Sequence, residues 1–127
     1  MVSIDILITF RILKNVEIQE SAPFIINEEV EYAPGCIVIK TILRKITGSI
    51  SVIAFDFGEV LVGKISPFEI LIQVIEGSAE VVINDKPNFL EPHQSIIIPA
   101  HTSNSLKANK RFKIISTVIK CGYEEVT

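Results

Sequence analysis

The stretch Gly58-Glu-Val-Leu-Val-Gly-Lys-Ile-Ser-Pro-Phe-Glu-Ile-Leu-Ile-Gln-Val-Ile-Glu-Gly77 decides the fold. Side chains alternate across a strand, so residues 68–75 place Ile70, Ile72 and Val74 on one face and Glu69, Leu71, Gln73 and Ile75 on the other. The first set is the better core face. After Glu76-Gly77 the run Val81-Val82-Ile83 continues, and Asn84-Asp85-Lys86 supplies a tight reversal into residues 88–91, which predicts a pair of linked hairpins.

Outward from this segment the periodicity remains that of strands. Further strands are expected over about 2–12, 36–46, 50–57, 79–84, 88–91, 95–98, 104–108 and 112–120, with turn residues at Thr47-Gly48, Glu91-Pro92 and Ala108-Asn109. Many short strands at this spacing predict an all-β sandwich or barrel. At the N-terminal end Val2, Ile4, Ile6, Ile8, Phe10 and Ile12 alternate with mainly polar neighbours. The irregular stretch from Asn15 to Gly35, with Pro23 and Pro34, reads as a covering segment between that strand and the barrel.

The framework resembles the small single-domain cupins. In their first motif Gly58, Lys64, Ser66, Ile70 and Gly77 stand at the motif's spacing. The second motif would lie on His93 to Ala108, running through Pro99, His101 and Asn104, and Val-Ile-Glu-Gly at 74–77 and Ile-Ile-Pro-Ala at 97–100 look like the family's usual phrases. The resemblance implies a double-stranded β-helix (jelly-roll) barrel over 34–120, preceded by an extra N-terminal strand and cover in 1–33, with 1–127 as one domain. It also implies a site inside the barrel, where two His and a Glu from the first motif and a His from the second converge on a divalent metal. Carried over residue by residue, those positions are Lys64, Ser66, Ile70 and Asn104. An ammonium, a hydroxyl, a hydrocarbon and an amide do not make a transition-metal site.

Neighbouring residues do not rescue it. Glu69 is one residue from the Glu position, which puts it on the opposite strand face. His93 and His101 flank residues 95–98, and eight residues of extended chain hold them up to roughly 26 Å apart. No metal and no cofactor are expected, and a metal-dependent dioxygenase is ruled against.

Composition sets the remaining bounds. At 127 residues the chain suits one domain. Hydrophobic residues make up 48% and charged residues 21%, and no apolar run reaches the roughly 20 residues of a membrane span. The opening 13 residues lack a basic leader and a small-residue cleavage pattern, so a cytoplasmic location is the default expectation. Cys36 and Cys121 fit neither a disulfide framework nor a zinc spacing. The net charge of −3 argues against nucleic-acid binding. The basic group Lys107, Lys110, Arg111 and Lys113 and the acidic group Glu17, Glu20, Glu28, Glu29 and Glu31 both read as solvated surface.

Two functions follow as expectations. The first is a non-catalytic barrel that binds a small molecule or an anionic ligand, or serves in assembly, with Ile70 and Ile72 on its inner wall and Lys64, Ser66 and Asn104 near its mouth. The second is a metal-independent enzyme, isomerase- or lyase-like, with Lys64 or His101 as acid or base. An apolar strand at Val2–Ile12 standing alone would expose an edge. It is therefore expected to pair with the barrel or with a second subunit in a homodimer, alternatives that the solution mass of the intact chain separates.

Overall fold

The computed structural model describes residues 18–120. Nine strands are found among them: β1 (Ile37–Lys45), β2 (Gly48–Phe55), β3 (Val60–Gly63), β4 (Glu69–Gly77), β5 (Ala79–Ile83), β6 (Lys86–Leu90), β7 (Ser95–Ile98), β8 (Asn104–Lys107) and β9 (Phe112–Ile119). They form two packed sheets, a five-stranded one in the order β1-β2-β9-β4-β7 and a four-stranded one in the order β3-β8-β5-β6. This is the expected all-β, double-stranded β-helix barrel. The expected N-terminal strand over 2–12 lies outside the described residues.

Alternation places the core between the sheets. Ile72 and Val74 of β4, Ile53 and Phe55 of β2, Phe112 and Ile114 of β9, and Val81 and Leu106 of the smaller sheet are all buried there. Phe55 and Phe112 are register partners whose rings stack with centroids 4.4 Å apart. They close one end of the barrel, the base. There Gly58 N–H donates to the Ala108 carbonyl at 2.7 Å, and His93 N–H donates to the Val74 carbonyl at 2.8 Å.

Local turn chemistry explains how the chain passes between layers. Asn84 and Asp85 both adopt positive φ (50° and 65°), the geometry of a two-residue hairpin loop, and join β5 to β6. Gly77 ends β4 at φ +75°, with its α-carbon face against the Arg111 carbonyl and the Phe112 α-carbon. Any side chain there meets backbone as well as an unfavourable conformation. Two features differ from the sequence reading. The strand β3 was not expected, and β4 continues through Glu76 to Gly77 because a bulge at Ile75 realigns Glu76 opposite Lys113.

The outer face of the larger sheet carries a second, smaller core. Val52 and Ala54 are buried there against Val30, with Ile26, Tyr32, Val38, Ile42 and Ile75 around them. The cover is a 3-10 turn at Ile26–Glu29 and the extended residues after it. Charged groups fasten this cover, contrary to the expectation of two solvated clusters. Lys113 is only 8% exposed, and its Nζ donates to the Asn27 carbonyl (2.9 Å) and Oδ1 (2.7 Å). Glu76 accepts from Tyr32 Oη at 2.6 Å and from Asn27 Nδ2 at 3.1 Å. Buried Lys40 pairs with Glu29 at 2.7 Å, and Arg111 Nε donates to Asp56 Oδ1 at 2.8 Å. Lys107, Lys110, Glu20 and Glu28 are exposed as expected.

These contacts set a pH dependence. The Arg111 hydrogen bond, then the backbone N–H groups of Gly35 and Phe57, hold Asp56 down to about 2. The Tyr32 hydroxyl, then Asn27 and the Lys113 charge, lower Glu76. Burial, then the Glu76 hydrogen bond and charge, push Tyr32 well above an ordinary phenol. For both carboxylates a folded pKa below the unfolded one contributes stability that is complete above pH about 4–5 and lost as pH falls through the folded value, about 2 for Asp56. For Tyr32 the raised folded pKa gives the opposite limb, with stability lost as pH rises beyond about 10. Urea unfolding at pH 7, 4 and 3 should show a falling midpoint whose slope is shallower in Glu76→Gln. An equal slope in the variant would remove Glu76 from this account.

Candidate functional site

The end of the barrel opposite the base is assembled from loops that bond to one another. His101 N–H donates to the Ser66 carbonyl (2.6 Å), Asn84 N–H to the Ser103 carbonyl (3.0 Å) and Lys120 N–H to the Thr47 carbonyl (2.9 Å). These contacts gather the β1–β2, β3–β4, β5–β6 and β7–β8 connections and the end of β9 into one mouth. The sequence motifs point to this end.

The residues singled out from sequence take different places here. Lys64 is exposed on the loop after β3. Ser66 is half-buried, and its Oγ accepts from the Phe68 N–H at 3.0 Å, which fixes the entry to β4. Ile70 is half-buried and packs on the core, whereas Ile72 is 2% exposed inside it. Ile72 is thus floor, not wall. Asn104 is 8% exposed at the start of β8. It sits opposite Gly63, and its amide fills the space where a β-carbon on Gly63 would stand, with Nδ2 3.0 Å and Cγ 2.8 Å from that point. Nδ2 points toward the Thr102 carbonyl at 3.5 Å. His101 is exposed and adopts φ +61°, so its conformation serves the turn after Pro99.

The donor set does not fit a divalent metal. Lys64 and Ile70 offer no lone pair suited to one, which leaves two neutral oxygens, those of Ser66 and Asn104, and the Ser66 hydroxyl already accepts from backbone. Among the described residues no three His, Cys, Asp or Glu side chains gather in a group able to hold an ion.

A different polar feature lines the inner face near the mouth. Thr41 of β1 is the register partner of Ser51 on β2, and Ser51 is the partner of Ser116 on β9. Parity from buried Ile53 and Ile114 turns Ser51 and Ser116 inward. Three adjacent strands therefore present a row of hydroxyls at one level, one step above hydrocarbon. Ser51 and Ser116 are half-buried, and no side-chain hydrogen bond among the described residues ties either to protein. A bulge between Thr41 and Leu43 then changes the frame of β1, so that Leu43 pairs with Ile50 on the outer face and Arg44 pairs with Ser49 on the inner one. Arg44 Nη2 donates to Thr41 Oγ1 at 3.3 Å. The mouth thus has a hydroxyl row on the larger sheet, an amide on the smaller sheet and a guanidinium at the rim.

None of Thr41, Arg44, Ser51 and Ser116 was picked out from sequence. For two of them a signal existed: alternation in 50–57 and 112–120, counted from Phe55 and Phe112, puts Ser51 and Ser116 on the core face. Arg44 had none, because the bulge that turns it inward has no residue signature.

The architecture defines the class first: a double-stranded β-helix barrel. More narrowly, the chain has the cupin fold, and its structural neighbours are cupin superfamily proteins. A cupin superfamily protein from Desulfitobacterium hafniense superposes with a TM-score of 0.76 at 18% identity, over 83% of this chain and 96% of that one. A cupin 2 conserved barrel domain protein from Leptotrichia buccalis gives 0.74 at 28% identity, over 76% of this chain and 47% of that one. A conserved protein of unknown function from Streptococcus pyogenes gives 0.78 at 22% identity, over 85% and 95%. No protein-family model and no curated protein matches the chain. Among the described residues no helix is long and apolar enough to cross a membrane.

Proposed function

We propose that this chain is a non-catalytic cupin barrel that binds a small polar molecule at its mouth. The row Thr41, Ser51 and Ser116 carries the reading. Inward positions one pair deeper, Ile53 and Ile114, are hydrocarbon and buried, so the packing of the sheets gives no reason for hydroxyls at the next level. Thr41 is exposed and already accepts from Arg44, whereas the half-buried Ser51 and Ser116 hydroxyls, without side-chain partners among the described residues, are satisfied by water or by a ligand's own polar groups. Asn104, across from them on the smaller sheet, adds an amide held in place by its contact with Gly63. Such neutral groups orient a hydroxylated ligand by hydrogen bonding and leave its chemistry unchanged.

The acid or base reading lacks comparable support. Lys64 and His101 are both exposed, and no side-chain hydrogen bond among the described residues links either to the row.

The test is the Ser51→Val/Ser116→Val double variant. Titration of labelled protein with small polyols and hydroxy acids should shift the amide resonances of 41, 51, 104 and 116. The variant should lose these shifts while unfolding at the same temperature or higher, since each added methyl buries hydrocarbon worth about 0.8 kcal/mol. Shifts that persist in the variant, or that cluster at the base, would sink the proposal.

A further inference from the structure

We infer that the ligand is anionic: a small molecule whose hydroxyls meet the Thr41, Ser51 and Ser116 row while its carboxylate or phosphate is held by Arg44. The inference rests on the binding reading above and names the class of ligand. Three observations carry it.

The first is the frame change in β1. In an unbroken strand, parity from Thr41 would aim Leu43 inward and Arg44 outward. The bulge at Ile42 reverses both and seats Ile42 itself in the outer core. A guanidinium is thereby delivered to the inner edge of the barrel beside the hydroxyl row.

The second is what Arg44 touches. The residue is exposed, its Nη2 reaches the neutral Thr41 hydroxyl, and no carboxylate among the described residues pairs with it. Arg111, by contrast, is committed to Asp56, and Lys40 to Glu29. Guanidinium offers a planar fork of donors that matches a carboxylate or phosphate in two parallel hydrogen bonds, and Arg44 has most of that fork unspent.

The third is the charge of the mouth. Among the described residues at this end, Arg44, Lys45, Lys64, Lys86 and Lys120 stand against Glu69 and Asp85, although the whole chain carries −3. A positive rim on a negative protein draws anions toward this end and not toward the rest of the surface. Lys64 finds its place here too, as part of the field at the rim.

The experiment compares matched pairs of probes by titration calorimetry on the full chain: gluconate against sorbitol, and glycerol 3-phosphate against glycerol. The anion of at least one pair should bind more tightly than its neutral partner, and the pair that shows the difference tells carboxylate from phosphate. Arg44→Gln should weaken that anion about five- to tenfold, a fold-change typical of losing a partly exposed charge-assisted pair. It should leave the neutral partner unchanged, and Arg44→Lys should recover part of the loss. Raising salt from 50 to 500 mM should weaken the anion and spare the polyol. Equal binding of anion and polyol, with no effect of Arg44→Gln, would overturn the anionic assignment and leave the hydroxyl row as the site. Binding by neither member of either pair would overturn both. Arg44 is exposed, so the substitution does not threaten folding, and an unchanged unfolding temperature verifies that.

Discussion

Replacing Phe112 with alanine is expected to remove about 3–5 kcal/mol of stability. The ring is fully buried and stacks on Phe55 at an interplanar angle of 20°. The two rings come from paired residues of β2 and β9, the strands at the centre of the larger sheet. Loss of one ring therefore removes hydrocarbon, leaves a void bounded by backbone that cannot close over it, and forfeits an aromatic contact worth about 0.5–1.5 kcal/mol. Domains of this size have about 5–15 kcal/mol in total, so the variant will sit close to its unfolding threshold at 37 °C. Urea unfolding should show a much lower midpoint with the same slope, and Phe112→Leu should restore part of the loss. A cost below about 1 kcal/mol in the alanine variant would mean that the base is not packed as described.

Replacing Lys113 with alanine is expected to cost about 2–3 kcal/mol and to release the cover from the outer face of the larger sheet. Lys113 is the only charged residue of β9, and its strand parity points it away from the core. There it would meet water, but Asn27 and Tyr32 close over it instead. Its ammonium donates twice to Asn27 and lies 5.2 Å from the centre of the Tyr32 ring. Opposite it, Glu76 holds Tyr32 and Asn27 by their side chains. Without the ammonium the Asn27 carbonyl loses a charged donor and the Glu76 carboxylate loses its nearest compensating charge. Hydrogen exchange should therefore accelerate at amides 26–35 well before it does in β4 or β9. Uniform acceleration across all strands would contradict a separately fastened cover, and unchanged exchange would show that Lys113 contributes no fastening.

The fold was legible because alternation is a strong signal where one face is buried. Residues 68–75 could be assigned from Ile70, Ile72 and Val74 at every second position, 79–84 and 95–98 from short runs of Val and Ile, and Asn84-Asp85 marked its turn by residue type alone. Strand β3 escaped because Val60–Gly63 has only four residues, between the Gly58 turn and the Ser66-Pro67 loop, and its pairing with β8 is made across the chain. The motif spacing led to the mouth of the barrel, where Lys64, Ser66 and Asn104 lie. It did not lead to the row of hydroxyls. Thr41, Ser51 and Ser116 are ordinary strand residues in sequence, and only the register of three strands sets them level. Lys113 was misread for a related reason. Its strand parity is outward, and outward means solvent unless another segment covers the face. The stretch 15–35 reads as a covering segment, but without periodicity its sequence does not say which face of the barrel it covers.

The base and the mouth also stand in different relations to change. Phe55, Phe112 and the bulk of the core lie toward one pole, while the hydroxyls, Asn104 and Arg44 sit at the other, on short strand ends and loops joined by a few backbone bonds. Substitutions at the second pole draw little on the reserve held at the first. Descendants of this sequence can change the side chains at the mouth without passing through an unfolded ancestor.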